Sequence, residues 1–272
     1  MTEGLEILGK EVFDTLFIDW RIMAVTAVIS IILFLVGIYI QLDKWGRGIP
    51  EGATKPTGAW GALKLIISKI FEKGIGHALE VLVLDVLFQR RTYRRRKLEW
   101  FMHILIFWGW IGLLVLTIVA AAAEFAGPFL FNQDHTYFVG VWTSLELPND
   151  IFGYMLVAGI VIAIARRLFF KGKDVQARNA DIDWILIIGL LIVVTTGFYA
   201  QTIRETAGVT TPVVERALIS TYEATAPGFF NNMTVMFHEI FTLLFCVAYL
   251  PFSKYFHMIT APLTILVNHG GE

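Results

Sequence analysis

Long runs of apolar residues, separated by polar segments, dominate the pattern of this chain. Five runs approach the ~20 residues that a helix needs to cross a hydrocarbon core ~30 Å thick. They cover residues 22–42, 100–123, 151–169, 182–201 and 233–250. A further apolar stretch follows Pro251, and we expect this proline to kink one long fifth helix over about 233–260 rather than end it. The pattern therefore predicts an all-α integral membrane bundle of five helices.

The segment between the first and second runs has a different pattern. Across residues 60–90, apolar side chains such as Leu63 and Ile66 alternate at helical spacing with Lys64 and Lys69. Such a segment is typical of an amphipathic helix that lies in the membrane interface. We expect it on the cytoplasmic side, either as a surface anchor or as a docking surface for a cytoplasmic partner.

Lysine and arginine residues are concentrated in two of the segments that join the runs. Residues 43–99 and 166–178 are rich in both, whereas residues 125–149 contain neither. The segment after the fourth run has only Arg204 and Arg216. Because basic loops remain on the cytoplasmic side, the N-terminus is predicted outside and the C-terminus inside.

Composition and charge narrow the class of protein further. Hydrophobic residues make up 56% of the chain, which a soluble domain of this size could not bury, so lipid must cover part of the surface. The net charge of −1 gives no indication of a nucleic-acid partner. The single cysteine, Cys246, lies in an apolar run and predicts neither a disulfide framework nor an iron–sulfur cluster. Residues 1–20 are acidic and predict a short amphipathic lead-in rather than a signal peptide.

Three of the six histidines lie in the predicted spans, where a polar side chain is costly and indicates a site. His103, near the inner start of the second span, and His257, near the inner end of the fifth, lie at one depth and suit the axial pair of an inner haem. His238, at the outer start of the fifth span, suits an axial ligand of an outer haem. About 19 residues, or ~28 Å of helix, separate His238 from His257. The alternatives are polar packing residues, a membrane anchor without haem, or a transporter with histidine proton relays.

Two features of the pattern oppose a simple pair of bis-histidine haems. On an ideal helix His238 and His257 would point about 100° apart, so a kink or π-bulge must bring them into line. The second span has Gly112 and Leu113, and no histidine, at the depth of His238. The outer haem is therefore expected to be five-coordinate, or to take another ligand such as a methionine.

Several charged residues are candidates for supporting roles. Arg90, Arg91, Arg166 and Lys254 are predicted contacts for the inner haem propionates, although the positive-inside rule more often accounts for such residues. Glu239, beside His238, is the candidate proton acceptor for a membrane carrier. Asp150, Glu124 and Arg204 also lie at outer helix ends.

Five short motifs resemble those of a known family. They are LDVLFQRR at 84–91, WFMH at 100–103, PNDIFGY at 148–154, FHEIF at 237–241 and LPFSKYFH at 250–257. In these motifs the chain resembles the cytochrome b subunit of membrane-bound heterodisulfide reductase of methane-metabolising archaea. The wider superfamily is that of the nitrate reductase gamma-subunit-like cytochromes.

The resemblance implies one di-haem cytochrome b domain over residues 1–272, with five helices and two b haems. It also implies a cytoplasmic iron–sulfur catalytic partner, similar to the D-type component of that reductase, which reduces the mixed disulfide of coenzyme M and coenzyme B. The electron source would be a membrane carrier, methanophenazine or menaquinol. The alternative is a quinol-linked cytochrome b subunit of a nitrate- or sulfite-reduction-type complex. Nitrate reductase gamma subunits have two histidines on span two, whereas this chain has only His103, and the segment around His135 matches no family motif.

Overall fold

The computed structural model describes residues 20–49, 54–131, 135–169, 180–206 and 229–269. The predicted N-terminal lead-in lies almost entirely outside these residues. The regular elements of the described chain are all helical, which confirms the all-α class. The α-helices are α1 (Trp20–Gly46), α2 (Gly58–Ile70), α3 (Ile75–Val81), α4 (Arg90–Arg95), α5 (Lys97–Phe131), α6 (His135–Phe169), α7 (Ala180–Thr206), α8 (Phe229–Thr242) and α9 (His257–Val267).

Four helices in the described part of the chain are long and apolar enough to cross a membrane. Their apolar cores are Ala24–Gly46, Lys97–Ala123, Thr143–Phe169 and Trp184–Thr202. The fifth apolar run forms a shorter apolar helix, Met233–Ala248. The chain is therefore a multi-pass membrane protein, as predicted, while five crossings and their orientation remain predictions.

The prediction of an outer loop over residues 125–149 is wrong for the part of this segment that the structure describes. Helix α5 continues to Phe131 and α6 begins at His135, although the third span was expected to begin at 151. Alanines at 120–123 favour continuation of α5. Pro148 lies inside α6, and membrane helices tolerate such a proline where neighbouring groups satisfy the freed carbonyl.

The prediction of a single, kinked fifth helix is also wrong. Helix α8 passes into a π-helical turn at Leu243–Ala248, and two short 3-10 turns follow before α9 begins. Pro251 has no backbone N–H to continue the helix. Ser253 then adopts an extended conformation, and its hydroxyl accepts a hydrogen bond from the backbone N–H of Tyr255. The chain is thus restarted in a new helix whose first residue is His257.

The segment predicted to form an interfacial helix forms two α-helices followed by a π-helical turn at Leu82–Leu87, and its place at a membrane interface remains a prediction. Helices α2 and α3 are separated by a turn at Gly74, whose φ of 89° suits glycine and ends a regular helix. Large apolar side chains, including Trp60, Phe71 and Ile75, are exposed along this segment. Its exposed apolar surface is compatible with a location against the membrane interface.

The described residues group into two compact units. The first contains residues 20–23 and the described parts of 102–180 and 187–241, and the second contains those of 24–101, 181–186 and 242–269. In the first unit, small residues bring successive helices close together. A Cβ atom on Gly109 of α5 would lie 2.7 Å from the backbone nitrogen of Leu156 in α6, and one on Gly153 of α6 would lie 2.7 Å from the ring of Phe198 in α7. Such close backbone approach is the usual basis of helix association in membranes.

In the second unit, α1 packs against the break that follows α8. A Cβ atom on Gly37 would lie 2.5 Å from the ring of Pro251, so a larger residue would not fit. The side-chain amide of Gln41 donates a hydrogen bond of 2.8 Å to the carbonyl of Pro251. Helix α1 therefore stabilises the conformation from which α9 and His257 begin.

Candidate functional site

His238 lies on α8 against α7 in the first unit. Its Nδ1 atom is 2.9 Å from the hydroxyl oxygen of Thr196. The next residue of α7 is Gly197, where a Cβ atom would lie 3.1 Å from His238 Cε1 and 3.6 Å from Nε2. The absence of a side chain at Gly197 therefore allows the imidazole to lie directly against the backbone of α7.

This arrangement suits an axial haem ligand. A haem iron needs only one or two axial ligands from the protein, because the porphyrin supplies the other four nitrogens. The helix beside His238 is apolar, with Val193, Val194 and Phe198 buried, and Gly197 presents no side chain to the imidazole. Among the described residues no group of three or more histidine, cysteine, aspartate or glutamate side chains is placed to hold a bare metal ion.

The two predicted ligands of the inner haem lie in different units. His103 is half-buried on α5 in the first unit, with its Nδ1 atom shielded from solvent. His257 begins α9 in the second unit and is exposed, and its Nδ1 donates a 2.5 Å hydrogen bond to the carbonyl of Lys254. A carbonyl can only accept, so Nδ1 carries a proton and, in the neutral ring, the lone pair is on Nε2. The pairing of the two imidazoles remains a prediction.

Arg90 forms an ion pair that its predicted role does not include. Its guanidinium donates two hydrogen bonds of 3.0 Å to the carboxylate of Asp85, whose side chain is only 3% exposed. The hydrogen bonds to this carboxylate raise the pKa of Arg90. Gln89, with a φ of 51°, turns the chain so that the two residues meet. The pair fixes the corner at which α4 begins.

Replacing Arg90 with lysine is expected to destabilise this corner. Lysine keeps the charge but cannot form the two parallel hydrogen bonds to a nearly buried carboxylate. The thermal unfolding midpoint of the purified protein should fall by roughly a few degrees. Arg47→Lys is the matched control, because Arg47 forms a similar pair with Asp43 while its side chain is 74% exposed, and it should change nothing measurable. Equal midpoints for both variants would contradict a stabilising role for the Asp85 pair.

The other predicted propionate contacts have varied surroundings. Arg91 and Arg166 are half-buried, and Lys254 is exposed. Arg91 and Lys254 belong to the second unit and Arg166 to the first. Their contacts with haem propionates remain predictions.

Buried carboxylates lie on α6 in the first unit. Asp150 and Glu146, one helical turn apart, are 2% and 4% exposed, whereas Glu239 of α8 is half-buried. The side-chain amide of Asn149 donates a 3.0 Å hydrogen bond to Gln201 of α7, which is also buried. Ionisable side chains buried in membrane helices indicate function by default. The side chains of Glu124 and Arg204 lie outside the described residues.

Two histidines outside the predicted haem sites meet in the second unit. The rings of His77 and His269 have centroids 5.7 Å apart, and His269 Nε2 is 3.3 Å from a carboxylate oxygen of Glu72. Hydrogen bonds from Lys69 and from His269 lower the pKa of Glu72. These contacts attach the chain after α9 to the segment that contains α2 and α3, which is a structural role. His135 begins α6.

Sequence reasoning missed Thr196, Asp85 and Glu146. Thr196 follows another threonine, Thr195, in the span, and the sequence does not show which of the two faces a histidine. Asp85 precedes Arg90 by a spacing that would place them on different faces of a regular α-helix. Glu146 is a charged residue two positions before the PND sequence at 148–150, and this proximity could have indicated it.

Comparison with known proteins agrees with the resemblance seen in the motifs. The HdrE family model, which describes the E-type component of dihydromethanophenazine:CoB–CoM heterodisulfide reductase, matches residues 79–265. Curated relatives of the same description from Methanosarcina acetivorans and Methanosarcina mazei are 38% and 36% identical, and each alignment covers 95% of this chain and 96% and 97% of the relative. A more distant likeness, 23% identical over 64% of this chain and 26% of the relative, is to the EtfAB:quinone oxidoreductase of Syntrophomonas wolfei. No solved structure matches.

The long apolar helices and His238 define a multi-pass membrane protein with a candidate haem site. The comparisons then identify the class of membrane protein. The class is that of membrane subunits of an oxidoreductase complex. The chain belongs to the HdrE family of heterodisulfide reductase subunits, because the family model covers most of it and the two Methanosarcina relatives align over nearly its full length.

Proposed function

We propose that this chain is a cytochrome b subunit that takes electrons from a reduced membrane carrier, methanophenazine or menaquinol. It delivers these electrons through two b haems to a cytoplasmic iron–sulfur partner similar to the D-type component of heterodisulfide reductase. That partner would reduce the coenzyme M–coenzyme B heterodisulfide. The observation that supports the proposal most strongly is His238, whose imidazole is hydrogen-bonded to Thr196 and lies beside Gly197 of α7. The family and the names of the Methanosarcina relatives support the substrate and the carrier.

In this proposal the whole chain is one di-haem domain of five spans, with the N-terminus outside. His238 holds the outer haem, and His103 and His257 hold the inner haem. Each haem, when bound, supplies a centre that accepts and releases one electron at a time. Arg90, Arg91, Arg166 and Lys254 place positive charge at the inner side, which suits both haem propionates and cytoplasmic orientation.

The carrier releases protons as it is oxidised, so a base is needed on the outer side. Glu239 directly follows His238 and is half-buried, which suits a carboxylate that accepts a proton from a bound carrier and then passes it outward. Asp150 is more deeply buried and is the competing candidate.

Glu239→Gln is expected to retain both haems and to slow carrier oxidation by about 100-fold, the lower end of the effect of losing a general base. Single-turnover oxidation of a reduced phenazine, followed at constant haem content, measures this effect. Asp150→Asn is the comparison, since it removes the other carboxylate. Wild-type turnover in Glu239→Gln, with slow turnover in Asp150→Asn, would transfer the role to Asp150.

The likeness to EtfAB:quinone oxidoreductase supports a quinol as the alternative carrier. It is compatible with a quinol-linked complex whose catalytic partner acts on another substrate. Reduction of the haems by a menaquinol analogue but not by a reduced phenazine would favour that alternative.

Spectroscopy of the complex purified from its native membrane tests the haem proposal. Reduced-minus-oxidised optical spectra and EPR spectra, with a haem-to-protein ratio, should show two b haems, one low-spin and one high-spin. Two low-spin haems would indicate a further axial ligand for the outer haem. A preparation that contains the chain but no haem would overturn the functional proposal and leave the membrane fold intact.

A further inference from the structure

We infer that Thr196 is a positioning residue for the outer haem: its hydroxyl fixes the tautomer and the ring orientation of His238, so that Nε2 binds the iron. This inference rests on the proposed haem role of His238. Thr196 lies on α7 and His238 on α8, both within the first unit.

The direction of the hydrogen bond follows from the proton count of the threonine. A hydroxyl has one hydrogen to donate. The Thr196 hydroxyl lies 2.6 Å from the carbonyl of Ile192 and 3.2 Å from that of Val193, so its hydrogen is directed to the backbone of its own helix. With that hydrogen donated to the backbone, the oxygen accepts the 2.9 Å hydrogen bond from His238, and the proton of the ring is assigned to Nδ1.

The tautomer decides which nitrogen can bind a metal. In a neutral imidazole with a protonated Nδ1, the lone pair is on Nε2. A metal-bound histidine usually donates its other ring N–H to a fixed acceptor, which orients the ring and raises its basicity. Thr196 supplies such an acceptor from a neighbouring helix.

Glycine at position 197 allows the ring its place against α7. A Cβ atom there would lie 3.1 Å from His238 Cε1, a contact that would push the ring away from α7. The hydrogen bond to Thr196 thus fixes the ring through Nδ1, while Gly197 allows the ring to lie against the backbone of α7.

The adjacent Thr195 provides an internal control. It also donates to backbone carbonyls of its own helix, with a 2.7 Å hydrogen bond to Leu191, but it is exposed. Valine at either position keeps the branched shape and removes the hydroxyl. A difference between Thr195→Val and Thr196→Val therefore reports the contact with His238 rather than a general effect on α7.

The test uses the purified complex, with haem content, EPR spectra and redox titration as measurements. Thr196→Val should shift the midpoint potential of the outer haem to a more positive value, because a less basic imidazole stabilises the ferric iron less. It should also alter the g values of that haem and weaken haem retention by about 10-fold, the lower scale for loss of such partners. Thr196→Ser, which keeps the hydroxyl, and Thr195→Val should resemble the wild type.

A Thr196→Val complex with unchanged potential, g values and haem retention would overturn the inference. His238→Ala separates this outcome from failure of the proposed function. If His238→Ala loses a haem while Thr196→Val is silent, only the positioning role fails. If His238→Ala keeps both haems, the proposed ligand itself is wrong.

Discussion

Replacing His238 with alanine is expected to remove the outer haem and to slow carrier oxidation strongly. An axial imidazole bonds the iron directly, so its loss should exceed the ~10–100-fold effect of removing an outer-shell partner. The haem-to-protein ratio should fall from two to one, and oxidation of a reduced phenazine should slow by roughly 100-fold or more. The inner haem should remain reducible by dithionite, because its predicted ligands are His103 and His257.

The control for this variant is another histidine of the same chain. His77 is on α3, where it contacts His269 and has no proposed haem role. His77→Ala should keep the wild-type haem ratio and the wild-type rate. Retention of two haems in His238→Ala, with intact helical content by circular dichroism, would show that the outer ligand is a different residue.

The sequence predicts the helical spans best where an apolar run is uninterrupted. The runs at 22–42, 100–123 and 182–201 all fall inside observed helices. The third span was predicted too short because Pro148 and its polar neighbours resemble a loop, whereas α6 continues through them. A loop prediction from proline is least secure in membrane helices, since neighbouring groups there can satisfy the freed carbonyl.

The segment after Pro251 shows a limit of a different kind. Proline alone does not determine whether a helix bends or ends. In this chain Gly37 leaves room for Pro251, and Gln41 donates to its carbonyl, so residues distant in the sequence stabilise the break. A tertiary contact of this kind has no local signal in the sequence.

The residues of the candidate site also differ in how far the sequence predicts them. His238 could be identified from the sequence, because a histidine in an apolar span is costly unless it has a role. Thr196 could not, since the choice between it and Thr195 depends on the rotation of α7 toward α8. Asp85 could not be paired with Arg90 either, because the π-helical turn at Leu82–Leu87 and the left-handed conformation of Gln89 bring them together.

Replacing Gly109 with valine is expected to have the largest effect on stability. Its Cβ atom would lie 2.7 Å from the backbone nitrogen and 2.9 Å from the Cα of Leu156, and backbone atoms cannot move aside as a flexible side chain can. Leu156 is fully buried, so α6 would have to shift as a whole. Overpacking of this kind costs about 1–3 kcal/mol, and close packing is a main source of helix association in a membrane.

Gly140→Ala is the matched control, because a Cβ atom at Gly140 of α6 would have no neighbour within 4 Å. Alanine favours a helix by ~1 kcal/mol over glycine, so this variant should be as stable as the wild type or slightly more stable. Thermal unfolding in detergent, followed by circular dichroism, compares the two variants. A Gly109→Val protein that unfolds at the wild-type temperature would mean that α5 and α6 do not pack through Gly109 and Leu156. That outcome would also remove the basis for placing His103, which lies on α5 as Gly109 does, at a fixed position in the first unit.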